Sequence, residues 1–266
     1  MARNIAGFTQ ALESVVVTED LCHAPGLMQG LDPRIKVVTL MLFIILVGLA
    51  QDFTLLIAIF ILALLLVLLS KIPIALYLKR LLIFIPIFTA VIAIPALFIT
   101  PGTPLLSIAG KAVITAQGAH TAGLLIMRVV DSLSLGLLLV FTTPWTKLLQ
   151  ALRWLRLPSL VVDILGMTYR YIYLLLHTAN SMFLARQSRT IGGFSGTENR
   201  RWLGRALVTT MVKSQYLSEE VYLAMLSRGY QGEIHTLNEL TLRRRDFIWM
   251  AFALAAISLM VWSIYL

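Results

Sequence analysis

The segment Ile35–Leu69, IKVVTLMLFIILVGLAQDFTLLIAIFILALLLVLL, decides the fold. It consists of two apolar runs, Ile35–Ala50 and Phe53–Leu69, parted only by Gln51-Asp52. Each run is read as able to cross a bilayer core of roughly 30 Å as a helix, and so short a polar break predicts a tight helical hairpin. Working outward, Leu81–Thr100 is a third apolar run, interrupted by Pro86 and Pro95, which predicts a kinked span. Ala119–Phe141 is apolar except for Arg128, Asp131 and a few hydroxyls, and Phe247–Leu266 closes the chain with a fifth run.

Composition agrees with a membrane protein. Of 266 residues, 59% are hydrophobic and only 13% charged, with a mean hydropathy of +0.86, too apolar for a soluble globular domain. The expectation is an all-α integral membrane protein with about five transmembrane helices and long amphipathic cytoplasmic helices. Its divisions are an N-terminal segment 1–34, a four-span bundle 35–142, a cytoplasmic segment 143–246 and a C-terminal span 247–266. The first 34 residues show no apolar core followed by a small-residue cleavage site, so no cleaved signal peptide is expected.

Charge sets the expected topology. Of 22 Lys and Arg, 14 lie between Thr143 and Asp246, against seven acids. Lys71, Lys79 and Arg80 mark the second-to-third connection, whereas residues 101–118 carry only Lys111. Placing the basic connections inside puts the N-terminus in the cytoplasm and the C-terminus outside, in a cytoplasmic membrane of bacterial type. The net charge of +9 then forms a face suited to anionic lipid or an acidic protein surface. No recognition motif points to nucleic acid.

Within 143–246 the pattern turns amphipathic. Leu160–Leu184 is apolar but carries Asp163, Arg170, His177 and Asn180 and has basic clusters at both ends, so it reads as a helix along the membrane surface. Asp163, Arg170 and His177 recur every seven residues and share one stripe. After glycines 192, 193 and 196, a second helix spans about Arg201–Arg228, with Leu217, Val221, Ala224 and Met225 as its apolar stripe. Both helices end in arginine followed within a few residues by glycine: Ser188-Arg189-Thr190-Ile191-Gly192 and Ser227-Arg228-Gly229. A cation in the last turn and a glycine beyond it can serve simply as a helix cap. Repeated in one basic segment, the same device also suits arginines that grip carboxylates on a partner, since the guanidinium fork binds them bidentately and stays charged.

Other constellations are less productive. Arg128 and Asp131, three apart inside a span, can face one another as a self-neutralising pair or line an ion path. Cys22-His23 has metal-ligating groups but no further ligands nearby, and His120, His177 and His235 are scattered. The single cysteine excludes an internal disulfide. There is no G-x-x-x-x-G-K-[ST] loop, so no ATP site of this kind, and no nucleophile, base and acid set, so catalysis is not expected.

Four further stretches carry a resemblance. Leu31-Asp32-Pro33-Arg34-Ile35-Lys36, Thr142-Thr143-Pro144, Ala185-Arg186-Gln187-Ser188-Arg189 and Glu220–Gly232, with Ala224-Met225-Leu226-Ser227-Arg228-Gly229-Tyr230 at its heart, resemble the transmembrane T component of energy-coupling factor transporters. The likeness runs from about residue 28 to the last span and is nearest the CbiQ branch, which serves cobalt uptake. The resemblance implies a non-catalytic scaffold whose two helix-end motifs insert into two ABC-type ATPase subunits. ATP and magnesium would sit on those subunits, with no cofactor on this chain, and a separate substrate-binding (S) membrane component would capture cobalt. It implies coupling roles for Arg189 with Ser188 and for Arg228 with Ser227 and Gly229, with Arg186, one turn earlier, competing for the first position. The first motif departs from the family's usual Ala-Arg-Gly by reading Ser-Arg-Thr. Nickel or a vitamin as cargo, or a self-contained channel or secondary transporter using Arg128 and Asp131, are the alternatives.

Overall fold

The computed structural model describes residues 21–22, 24–99, 103–108, 111–189, 196–232 and 242–265. His23, His235, Gly192 and Gly193 lie outside the described residues. The elements are α1 (Pro33–Leu49), α2 (Phe53–Leu69), α3 (Ile74–Ile99), β1 (Pro104–Ile108), β2 (Lys111–Thr115), α4 (Ala116–Thr142), α5 (Trp145–Trp154), α6 (Ser159–Arg189), α7 (Gly196–Ser227) and α8 (Arg244–Tyr265). They fall into two compact units, one within Val17–Ala151 and Leu240–Leu266, the other within Leu152–Glu239; the boundary lies inside α5.

The first unit is a helix bundle centred on α4, which packs against α1, α2 and α3, while α1 also touches α8. Its core includes Phe43, Val47, Leu56, Ile59, Leu138 and Phe141. The outer faces are apolar too, with Ile45 56%, Leu49 61% and Ile61 59% exposed. Helices apolar all round belong in lipid. By length and composition α4, α6 and Arg244–Trp262 of α8 can each cross a membrane, and α2 is a shorter apolar helix. The chain is thus a multi-pass helical membrane protein. α6, which the charge pattern assigns to the membrane surface, is itself long and apolar enough to span. Helix α3 runs through Pro86 and Pro95 as one element.

Local chemistry fixes the ends. Asp32 is the N-cap of α1, accepting from the Arg34 N–H at 2.8 Å with Pro33 at the first helical position. Thr115 likewise caps α4 through the Gly118 N–H at 3.1 Å. Between α3 and α4 stands a small antiparallel hairpin, Pro104 opposite Thr115 and Ile108 opposite Lys111, which an all-α expectation lacks. It is tied to α4 where the Ala116 N–H donates to the Thr103 carbonyl and the Thr103 N–H to Gln117 Oε1.

One end of this unit gathers the opening and mid-chain motifs. The buried Lys36 Nζ donates to the Thr142 carbonyl at 3.0 Å, satisfying an orphan acceptor at the C-terminus of α4. Asp246, buried, accepts from the Asp32 N–H at 2.8 Å and from the Arg243 N–H at 2.6 Å. The second bond is the return half of a capping box at the start of α8. Trp249 Nε1 donates to Thr39 Oγ1 at 3.2 Å. The Asp32 and Thr142 motifs are therefore structural ties among α1, α4 and α8.

The second unit is sparser. α6 and α7 have 31 and 32 residues, yet α7 buries no residue fully and α6 only Val162 and Asp163.

Candidate functional site

α6 ends in Arg189, and Arg228 directly follows the last residue of α7. α7 ends in a Schellman turn: the Tyr230 N–H donates to the Met225 carbonyl at 3.0 Å and the Gly229 N–H to the Leu226 carbonyl at 3.0 Å. Gly229 takes φ +82, a left-handed position that favours glycine. The turn leaves Arg228 exposed at the helix tip, with Ser227 and Gly229 exposed beside it. Arg189, the last residue of α6, is exposed as well, as is Ser188.

The two tips share more than an arginine. Ser188 Oγ donates to the Ala185 carbonyl at 3.0 Å and Ser227 Oγ to the Ala224 carbonyl at 2.9 Å. The stretches read Ala-x-x-Ser-Arg in both cases, residues 185–189 and 224–228. That five-residue repeat was legible in the sequence and aligns Arg189, not Arg186, with Arg228. Arg186 is half-buried and engaged: its Nη1 donates to Asn199 Oδ1 at 2.9 Å and its guanidinium lies 4.5 Å from the Trp202 ring centroid.

The expected stripe of Leu217, Val221 and Met225 is half-buried, whereas Ala224 is exposed. Other apolar side chains of α7 face outward, with Leu207 68% and Met211 73% exposed. The seven-residue stripe on α6 divides: Asp163 is buried in an ion pair with Arg153, while Arg170 and His177 are exposed.

Arg128 and Asp131 do not hydrogen-bond to each other, which corrects the expectation of a mutual pair. Arg128 Nε and Nη2 donate to the Ala50 carbonyl at 3.1 and 2.6 Å. Ala50 follows the last turn of α1, where unsatisfied carbonyls gather the negative end of the helix dipole and offer the guanidinium a competing partner. Asp131 is fully buried, and neither carboxylate oxygen has a hydrogen-bond partner among the described residues. One turn on, the Tyr77 hydroxyl donates to the Ser134 carbonyl at 2.8 Å. Among the described residues no group of three His, Cys, Asp or Glu is placed to hold a metal. Cys22 is buried, its thiol directed to the Val140 carbonyl.

Comparison with known proteins now fits this architecture. The family described as cobalt transport protein, CbiQ, matches residues 27–238, and the chain belongs to that family. An uncharacterised protein of Methanocaldococcus jannaschii is 34% identical over 254 residues, covering 94% of this chain and 87% of the relative. The energy-coupling factor transporter transmembrane protein EcfT of Listeria innocua is 28% identical over 77% of this chain and 81% of its own length. The cobalt transport protein CbiQ of Rhodobacter capsulatus is 27% identical over 57% of this chain and 63% of its own. Both of these last two relatives are named for transport.

Proposed function

We propose that this chain is the energy-coupling transmembrane component of an ATP-driven, energy-coupling-factor importer of cobalt ions. Arg189 and Arg228 seat in acidic hollows on two ABC-type ATPase subunits, which hold ATP and magnesium, and an S component in the membrane binds the cobalt. The observation that carries this reading is the pair of exposed arginines, each ending a long helix in the same Ala-x-x-Ser-Arg setting. A guanidinium at such a tip binds a carboxylate bidentately and keeps its charge. The exposed apolar side chains of α7, Leu207, Val208, Met211 and Leu223 among them, supply the desolvated surface that a lasting interface needs. When the ATPases close and open, the tips move with them and carry α6 and α7, which changes how the S component sits in the bilayer. The basic segment faces the cytoplasm, with the N-terminus inside and the C-terminus outside.

The test is co-purification with the ATP-binding subunits. Arg228→Glu is expected to weaken assembly at least roughly ten-fold, or to leave hydrolysis running without uptake, because a reversed charge meets like charge across the interface. Assembly and uptake both intact would rule out the coupling role. Uptake of labelled cobalt, nickel and vitamins by the reconstituted complex decides the cargo.

A further inference from the structure

Where α6 ends and α7 begins, four side chains interlock. Phe183 and Arg186 lie three apart on α6, and Asn199 and Trp202 three apart on α7, so each pair shares a helix face. The Phe183 and Trp202 rings meet at 61° with centroids 4.8 Å apart. The Arg186 guanidinium lies over the same indole at 4.5 Å and donates to Asn199 Oδ1 at 2.9 Å.

We propose that this cluster is a stiff joint that positions Arg189, with Trp202 and Arg186 as positioning residues for coupling; the proposal rests on the coupling reading above. Arg189 lies one turn beyond Arg186. Apart from the joint, this end of α6 has no fully buried residue, since Val162 and Asp163 lie near the opposite end. A helix of 31 residues extends about 46 Å at 1.5 Å per residue, so a tip without lateral support would bend under load. The joint transfers a push on Arg189 to α7 through the stacked guanidinium and indole. Arginine suits the place because its planar head stacks on a ring while an edge N–H stays directed at Asn199; a lysine ammonium lacks the flat fork that fixes both contacts together. Arg186 therefore braces the tip, and Arg189 does the gripping.

The test uses a nitroxide at the exposed Gln187 in a Cys22→Ser background, read on the full chain and in the reconstituted complex, together with labelled cobalt uptake per ATP hydrolysed. Trp202→Ala is expected to sharpen the Gln187 spectrum and lower uptake per ATP roughly three-fold or more. Trp202→Phe, which keeps a ring, restores most of both, and Arg186→Lys falls between. An unchanged Gln187 spectrum in Trp202→Ala overturns the joint, whether or not uptake falls and even if that variant fails to assemble. So does a mobile tip with wild-type uptake per ATP. Failure of the coupling reading itself appears instead as an innocuous Arg228→Glu, which leaves the Gln187 spectrum untouched.

Discussion

The bundle unit, whose helices have 17 to 27 residues, and the long-helix unit, whose pair has 31 and 32, bury them differently. In the first, α4 alone places nine residues in the interior, including Ser134, Leu138 and Phe141, and is contacted by three other helices. In the second, α7 is longer and buries none. In proteins most helical stability comes from tertiary packing rather than from intrinsic propensity. The bundle thus buries a core of its own, whereas α6 and α7 leave most of their surface open, and on the proposed coupling reading the ATPases cover part of it.

The comparison can be broken most decisively by truncation. Phe43→Ala, in the bundle core at 1% exposure, should cost about 3–5 kcal/mol, seen as a lower melting temperature in detergent. Met211→Ala on α7 should change the isolated chain by less than about 0.5 kcal/mol yet weaken co-purification with the ATPases. Equal losses of stability from both would erase the distinction.

A smaller effect is expected at Asp246. Asp246→Ala leaves the buried Asp32 N–H without its acceptor and uncaps α8, destabilising the bundle by about 1–3 kcal/mol. A silent variant would show that the tie between α1 and α8 carries no weight.

Arg128 and Asp131 sharpen the picture within the bundle. Because Arg128 is satisfied by Ala50, a double-mutant cycle of Arg128→Met and Asp131→Asn should show coupling below about 0.5 kcal/mol. Coupling well above about 1 kcal/mol, the scale of interacting neighbours, would restore the direct pair.

A gain rather than a loss of stability is expected at two helix ends in which a basic residue stands where Gly229 stands in α7. Lys71 has φ 53 and Arg156 φ 64. Arg156 closes α5 with the Leu157 N–H on the Leu152 carbonyl, the same turn that closes α7. Arg156→Gly should relieve backbone strain and stabilise the chain by about 1 kcal/mol, measured by thermal unfolding. A loss of uptake with unchanged stability would instead give that arginine a role of its own.

Much of this was legible from residue order. Phe53–Leu69 came out with the same bounds because Asp52 and Ser70 bracket an unbroken apolar run. The ends of α6 and α7 followed from arginine and glycine placement. The hairpin was not legible, since Pro104–Thr115 is short and offers no clear alternation. Asp246 was missed because its partner Asp32 lies 214 residues away and meets it only in the fold. Spacing alone also made Arg128 and Asp131 look like partners, although a carbonyl on another helix wins the guanidinium. The Ala-x-x-Ser-Arg repeat aligning Arg189 with Arg228 stands in the residue order, whereas the contact of Arg186 with Trp202 across the connection is visible only in the fold.

Coupling requires that Arg228 meet an ATP-binding subunit in the assembled transporter. A photo-crosslinking amino acid placed at residue 228 in the complex should, on irradiation, join this chain to an ATP-binding subunit in high yield. Adducts confined to this chain or to lipid would contradict the coupling role.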